Sequence, residues 1–186
     1  MRTKMQRWNS PKLDSGALWE YAVKTLAGRA HSAGELRVKL QRKALHQSDV
    51  DGVLARLKEY RYLDDRKYAE NFASARLENQ QLGRNRVLRD LRERRIAPAV
   101  AERTVAKVYR EVDETALIED YVRRRYRSAA REGLFQDEKD LASAYRRLLR
   151  AGFTSGNIVR VLKRFARDPD LLDQFEPPQE IGEEPE

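Results

Sequence analysis

Few residues in this chain are placed to do covalent chemistry. Asp64 and Asp65 stand side by side in YRYLDDRKYAENF, and adjacent carboxylates are what a divalent cation or an acid–base pair would need. They fall at the junction between two apolar-periodic segments, where an aspartate caps the helix that follows, and capping is the reading this position supports. Histidine occurs twice and cysteine not at all, which excludes disulfides, thiolate metal sites and cysteine nucleophiles and leaves little for zinc. No Gly-rich phosphate loop and no Ser-His-Asp arrangement is present. The chain therefore reads as a non-enzyme that needs no cofactor and no metal.

What remains is arginine. Lys and Arg total 38 against 30 Asp and Glu, for a net charge of +8 and a sequence pI near 9.8. The last eleven residues, EPPQEIGEEPE, hold five glutamates and no base, so the rest of the chain is more basic still. Such a body suits an anionic partner, either nucleic acid or an acidic protein surface. In RNRVLRDLRERRI, Val87, Leu88 and Leu91 share one stripe; at 100° per residue Arg86, Arg89 and Glu93 point away from it and Arg92 lies on its flank. Arg84 and Arg95 bracket that segment. In YVRRRYR, Arg123 and Arg127 face outward while Arg124 and Arg125 border the apolar stripe. The candidate partner-binding residues are Arg84, Arg86, Arg89, Arg92, Arg95, Arg123, Arg124 and Arg127. The i,i+4 pairs Arg86–Asp90 and Arg89–Glu93 support a solvated helix face, on which reversing Arg86 and Arg89 should leave the fold intact.

The elements that carry these arginines repeat. Leu36, Leu40, Leu45, Val50, Val53, Leu54 and Leu57 recur 51 positions on, without a gap, as Val87, Leu91, Ile96, Ala101, Thr104, Val105 and Val108. A further 57 positions on they recur as Ala144, Leu148, Phe153, Ile158, Val161, Leu162 and Phe165. Each copy is a helix, a short polar turn and a second helix with apolar positions at i, i+3, i+4 and i+7, which is a helix-turn-helix spacing. Upstream of each pair runs another amphipathic segment, marked by Leu18 and Ala22, by Phe72 and Ala73, and by Ile118 and Val122. The third copy carries extra residues within RSAAREGLFQDE, which reads as a loop. The expected fold is all-α, a tandem array of three three-helix repeats forming an elongated curved rod. A unit of about fifty residues buries too little to stand well alone, so stacking neighbours must extend the core. The boundaries are a flexible segment 1–14, repeats at 15–62, 63–110 and 111–167, and a disordered acidic tail at 168–186.

Local signals mark the helix starts. In HSAGEL, Ser32 as N-cap with Glu35 at N3 completes a capping box, and His31 at N′ can lie over Leu36 at N4. In LGRNRV, Gly83 takes the cap and Leu82 with Val87 makes the staple; in the third copy Asp140 is in register and Asp137 could start the helix earlier. No stretch approaches the roughly 20 apolar residues of a membrane span, and the absence of cysteine fits a reducing cytoplasm. A cytoplasmic monomer with no membrane contact is expected.

HSAGELRVKLQRK, followed by YRYLDDRKYAENF and then by LGRNRVLRDLRERRI, resembles the RecX family of recombination regulators, and the similarity runs from about Ala17 to Phe165 with all three repeats in order. Members often carry Lys-Gly at the turn between second and third helices; here the turns read Lys43-Ala44, Arg94-Arg95 and Ala151-Gly152, so the first two should differ in geometry or carry strain. The resemblance implies a protein that binds the helical groove of the RecA–DNA filament and restrains filament growth or promotes disassembly. It implies lowered ATPase, strand exchange and LexA cleavage, with the RecA filament as partner and only weak, non-specific contact to DNA phosphates alone. The alternative is a direct DNA-binding helix-turn-helix protein that reads a duplex with one helix.

Overall fold

A computed structural model of the 186-residue chain describes residues 11–126, 135 and 138–166. Among these the fold is all helix: α1 (Ser15–Gly28), α2 (Ala33–Lys43), α3 (Ser48–Glu59), α4 (Asp65–Gln80), α5 (Arg84–Glu93), α6 (Pro98–Val108), α7 (Glu114–Arg125), α8 (Glu138–Arg150) and α9 (Ser155–Phe165). The apolar 3.6-residue period therefore becomes three successive helix triplets. Arg127, Asp137, most of the RSAAREGLFQDE loop and the acidic tail lie outside the described residues.

Aspartates open the first helix of each triplet. Asp14 accepts the Ala17 N–H at 2.9 Å, Asp64 accepts the Arg66 and Lys67 N–H groups at 2.9 and 3.1 Å, and Asp113 accepts those of Thr115 and Ala116 at 2.9 and 3.3 Å. Each satisfies orphan donors of the first turn. The hydroxyl of Thr115 and these two N–H groups hold the Asp113 carboxyl below the usual carboxylate range. Asp64 thus caps the helix that follows it, but Asp65 reaches backward instead and accepts the Ala33 N–H at 2.7 Å, at the start of α2. The capping box on α2 is formed, with Ser32 Oγ accepting the Glu35 N–H at 3.0 Å and Glu35 accepting the Ser32 N–H at 3.3 Å.

Packing separates the described residues into two compact units, drawn from Met1–Phe72 with Leu91–Thr104 and from Ala73–Asp90 with Val105–Glu186. The first is built around Leu18, Ala22, Leu36, Leu40, Val50, Leu54, Leu57 and Leu63, each at most 4% exposed. The second is built around Ile118, Val122, Leu141, Tyr145, Leu148, Phe153, Ile158 and Leu162, each at most 2% exposed. Fully burying one such side chain stabilises by about 1.5–3 kcal/mol, so the repeating stripe supplies most of the favourable folding energy.

Within each unit, two helix triplets meet at a glycine. In the first, Gly34 in the opening turn of α2 lies against the turn after α5: a Cβ added there would sit 2.4 Å from the Cβ and 2.6 Å from the carbonyl oxygen of Arg95. The Ser32 hydroxyl donates to the Arg94 carbonyl beside it. In the second, Gly83 precedes α5 and lies against the turn after α8, where an added Cβ would come within 2.3 Å of the Gly152 carbonyl. Here the open amides at the start of α5 donate to that turn, Gly83 N–H to the Ala151 carbonyl at 2.8 Å and Asn85 N–H to the Gly152 carbonyl at 3.1 Å. One repeat's turn thereby caps the helix of the repeat before it.

The three turns do differ. Gly152 takes a left-handed φ of 93° and Arg95 one of 59°, but Ala44 is extended at φ −60°, ψ 136°. Arg95 bears the cost of a left-handed residue with a Cβ, about 1–2 kcal/mol. In the first turn Ala44 instead forms a parallel bridge with Leu13, through Leu13 N–H to the Lys43 carbonyl at 2.8 Å and Leu45 N–H to the Leu13 carbonyl at 2.7 Å. That geometry buries Ala44 and turns Leu45 outward, 54% exposed, whereas its counterparts Ile96 and Phe153 are buried. Leu45 is therefore not a core residue as its register suggests, and Leu13, in the segment that carries no periodic pattern, is tied to the first triplet.

His31 is 4% exposed, at 3.5 Å from Glu35. Burial, aided by Arg29, holds its pKa below the ordinary histidine value despite the nearby Glu35.

Two predictions follow from these contacts. Gly83→Ala should destabilise by roughly 1–3 kcal/mol because its methyl meets backbone, whereas Gly52→Ala, with open space around the new Cβ on α3, should stabilise by about 0.5–1 kcal/mol; urea unfolding of both variants checks the contrast. Because the folded state favours neutral His31, its contribution is complete above the unfolded value of 6.5 and is lost as pH falls through it. The melting temperature should therefore decline between about pH 7 and pH 5, and the decline should be shallower in His31→Gln.

Candidate anion-binding groove

Five arginines gather at one place in the second unit. α5 contributes Arg86, the last turn of α7 contributes Arg124 and Arg125, and the C-terminal half of α8 contributes Arg147 and Arg150. Together with Leu82, Tyr121 and Ala151 they line an open groove of about 660 Å³. The local reason lies in two contacts. The glycine contact at Gly83–Gly152 sets the first turn of α5 against the end of α8, which is why the Arg86 guanidinium reaches the Arg150 carbonyl at 3.4 Å. The wall on the α7 side is set by Tyr121, packed edge-on against the buried Phe153 at 5.7 Å between centroids.

Arg86 anchors the floor. Its Nε donates to Asp90 at 2.7 Å, Arg76 approaches the other oxygen of the same carboxylate at 3.4 Å, and Asp90 is only 6% exposed. The i,i+4 pair read from the sequence is formed, but Arg86 is not a side chain that merely points to solvent, and the expectation that it can be reversed without cost is corrected. A buried carboxylate that loses its partner keeps its desolvation penalty. Arg124, Arg125, Arg147 and Arg150 pair with no carboxylate among the described residues; Arg147 lies 5.8 Å from the centre of the Tyr126 ring. Four uncompensated guanidiniums around one concavity repel one another and create a positive field that a multivalent anion would relieve. Arginine's planar fork fits carboxylate and phosphate oxygens in pairs. Among the described residues no group of three or more His, Asp or Glu side chains could hold a metal ion.

Of the residues proposed from sequence, Arg86 and Arg124 stand in the groove. Arg84 is exposed at the start of α5 and lines a separate hollow with Tyr109, Glu114 and Thr154. There the Tyr109 hydroxyl donates to the Leu82 carbonyl at 2.7 Å, and burial raises its pKa. Arg89 and Arg92 are exposed along α5, and Arg95 is exposed in the turn after it. Arg123 is engaged on its own helix with Glu119 at 3.2 Å and Asp120 at 3.7 Å. Arg127 lies outside the described residues. The sequence reading missed Arg147 and Arg150 and left Arg125 at the edge of the apolar stripe. The available signal was the i,i+3 spacing of Arg147 and Arg150, which places both on one side of α8.

Fold and groove together define the class: a helical-repeat protein with a concave cationic surface. The family model described as the first three-helix domain of RecX matches residues 19–57, and that of the second three-helix domain matches residues 64–105. The regulatory protein RecX of Halorhodospira halophila is 31% identical over 144 residues, which span 77% of this chain and 85% of that protein. The regulatory protein RecX of Syntrophotalea carbinolica is 26% identical over 148 residues, spanning 78% of this chain and 92% of that one. In fold, the chain is similar to the crystal structure of RecX from Lactobacillus salivarius, with a TM-score of 0.64 at 16% identity over 81% of this chain and 96% of that one. The chain belongs to the RecX family of regulatory proteins.

The groove geometry separates two kinds of arginine. Arg86→Glu should destabilise by about 2–3 kcal/mol, less than the roughly 3–5 kcal/mol of breaking a fully buried pair, because Arg76 remains beside Asp90 and Arg86 is partly solvated. Arg124→Glu and Arg150→Glu should each stay within about 0.5 kcal/mol of the parent. Thermal unfolding of the three single variants measures the difference.

Proposed function

We propose that the chain regulates recombination by binding the RecA–DNA filament and lowering RecA's activities: filament extension, ATPase, strand exchange and LexA cleavage. The observation that carries the proposal is the groove on α5, α7 and α8, whose α7 and α8 arginines pair with no carboxylate among the described residues and so favour an anionic partner, in a chain that belongs to a family of regulatory proteins. A RecA filament presents acidic side chains of the protein and DNA phosphates together, and a forked guanidinium serves both. Tandem repeats add a second advantage. Several individually weak contacts along one partner combine through effective concentration, so affinity for an assembled filament can far exceed affinity for either bare component.

The groove binds and positions; the inhibition follows from occupying the filament. Arg124, Arg125, Arg147 and Arg150 would supply the charge that steers docking and fixes register. Arg86 acts through the floor, by holding Asp90 and the end of α8 in place. Arg89 adds an exposed cation on α5 in the same unit, and Arg92 and Arg95 are exposed cations of the first unit. Arg123, already paired with two carboxylates on α7, has less charge to offer.

The Arg124→Glu/Arg150→Glu double variant should keep its melting temperature and lose inhibition of RecA ATPase by about ten-fold or more, since reversal replaces attraction by repulsion toward an anionic surface. Arg123→Glu should lose much less. Binding to bare single-stranded DNA should be weak and should fall with a log–log salt slope of about −0.7 per phosphate neutralised, whereas binding to the assembled filament should be tighter and less steep. Full inhibitory potency in the double variant would remove the groove from the interface. Tight, sequence-specific binding to a short duplex without RecA would favour a helix-turn-helix reader instead.

A further inference from the structure

The two tyrosines that open YRYLDDRKYAENF lie in water. Tyr60 and Tyr62 are 57% and 58% exposed, while Leu57 and Leu63 on either side of them are buried in the core of the first unit. They are not isolated. Trp19 of α1 packs edge-on against Tyr60 at 5.8 Å between centroids and lies 6.4 Å from Tyr62, and the two tyrosines are 6.4 Å apart at an interplanar angle of 38°. The Arg56 guanidinium sits over the Trp19 ring at 4.3 Å.

The backbone is strained to build this cluster. α3 ends in a Schellman turn, with the Tyr62 N–H donating to the Leu57 carbonyl at 2.9 Å and the Arg61 N–H to the Lys58 carbonyl at 3.0 Å. The left-handed position in that turn, where glycine costs nothing, is held by Arg61 at φ 58°, at about 1–2 kcal/mol. The turn leaves Tyr60 and Tyr62 both within ring-contact distance of Trp19, with the Arg61 cation between them along the chain. Neither Arg56 nor Arg61 pairs with a carboxylate among the described residues. Sealing the seam between α1 and α3 requires Trp19, which is partly buried against the core; it does not require two tyrosines with more than half of each in solvent.

We infer that Tyr60 and Tyr62, braced by Trp19 and flanked by Arg56 and Arg61, form a base-stacking site for single-stranded nucleic acid. Exposed ring faces next to unpaired arginines are the two halves of such a site, the rings taking bases and the cations taking the backbone that joins them. The charge argues for this occupant over an apolar protein segment, which would bury two guanidiniums without partners. The 6.4 Å between the tyrosine centroids is short of the roughly 7 Å that a base needs to insert between two rings at van der Waals separation, so the bases lie on the outward faces. The site shares no residue with the arginine groove and goes beyond the role proposed for it. Stacking is largely indifferent to base identity, so the site would hold a strand without reading it.

The test uses the full chain with Trp8→Phe, which leaves Trp19 as the only tryptophan, and oligothymidylate as probe. The oligonucleotide should quench Trp19 fluorescence. Tyr60→Ala/Tyr62→Ala should weaken its binding by about ten-fold or more, Tyr60→Phe/Tyr62→Phe should retain it, and an abasic oligonucleotide of the same length should bind parent and double-alanine variant alike. Circular dichroism monitors the fold, and the single variant Tyr62→Ala replaces the double one if that fails to fold. Unchanged oligothymidylate binding in the alanine variant overturns the inference, as does an equal loss for the abasic strand. It is also overturned if oligothymidylate binding persists while capture by the RecA filament is lost, because the patch is then a protein-docking face. In Arg124→Glu/Arg150→Glu, quenching by oligothymidylate should survive even where ATPase inhibition does not, which separates this site from the groove.

Discussion

Close backbone approach at glycines ties neighbouring repeats together in this protein. At Gly34 and at Gly83, the opening turn of a repeat's second helix is pressed against the turn that ends the second helix of the next repeat, at distances where a single methyl group would collide with backbone or with a Cβ. The contact matters because it settles two separate demands at once. The first amides of a helix have no partners of their own, and at α5 they find them in the carbonyls of Ala151 and Gly152. At α2 the same region is served by Ser32, Glu35 and Asp65, with the Ser32 hydroxyl bonded onward to the Arg94 carbonyl. Helix capping, ordinarily a local matter, has become the bond between repeats.

The arginine groove depends on that approach. Arg86 lies one turn from Gly83, and it meets the end of α8 only because the backbone at Gly83 can touch the backbone at Gly152. The Arg86–Asp90–Arg76 cluster then fixes the floor, and the remaining guanidiniums stand around a shared hollow with no carboxylate partner among the described residues. Charge of this density is unfavourable for the isolated chain and favourable for one that meets an anionic surface. Arg94 shows the opposite use of the same residue type: it bonds Glu35 at 3.2 Å and the Tyr68 hydroxyl at 3.1 Å and stacks over Phe72 at 4.8 Å, so its charge is spent inside the first unit. Arginines of one chain can thus serve packing or binding, and only their neighbours decide which.

How far the sequence reaches can be followed residue by residue. The period of the apolar stripe and its recurrence at Leu36, Val87 and Ala144 were enough for helices and for three triplets, because which face of a helix is buried is a one-dimensional property of spacing. The capping box at Ser32 and Glu35 and the cap at Asp64 were legible for the same reason, since each bond spans three residues or fewer. Leu45 was misread because the period assumes an equivalent turn, and the turn before it is extended and paired with Leu13, more than thirty residues upstream. Asp65 was half-read: its type signalled a cap, but the helix it caps lies behind it.

For the site, the sequence by itself determined which surfaces are basic, because solvent-facing positions follow from the helical period and arginine is present at many of them. The tertiary structure alone decided which of these arginines stand together. Arg86, Arg124 and Arg150 belong to three different helices, and their proximity is set by where one backbone can approach another, a distance that no spacing along the chain encodes. The same holds for Trp19 and Tyr62, brought into one cluster by a left-handed turn at an arginine. Local composition chose the side chains; the contacts between backbones chose their company.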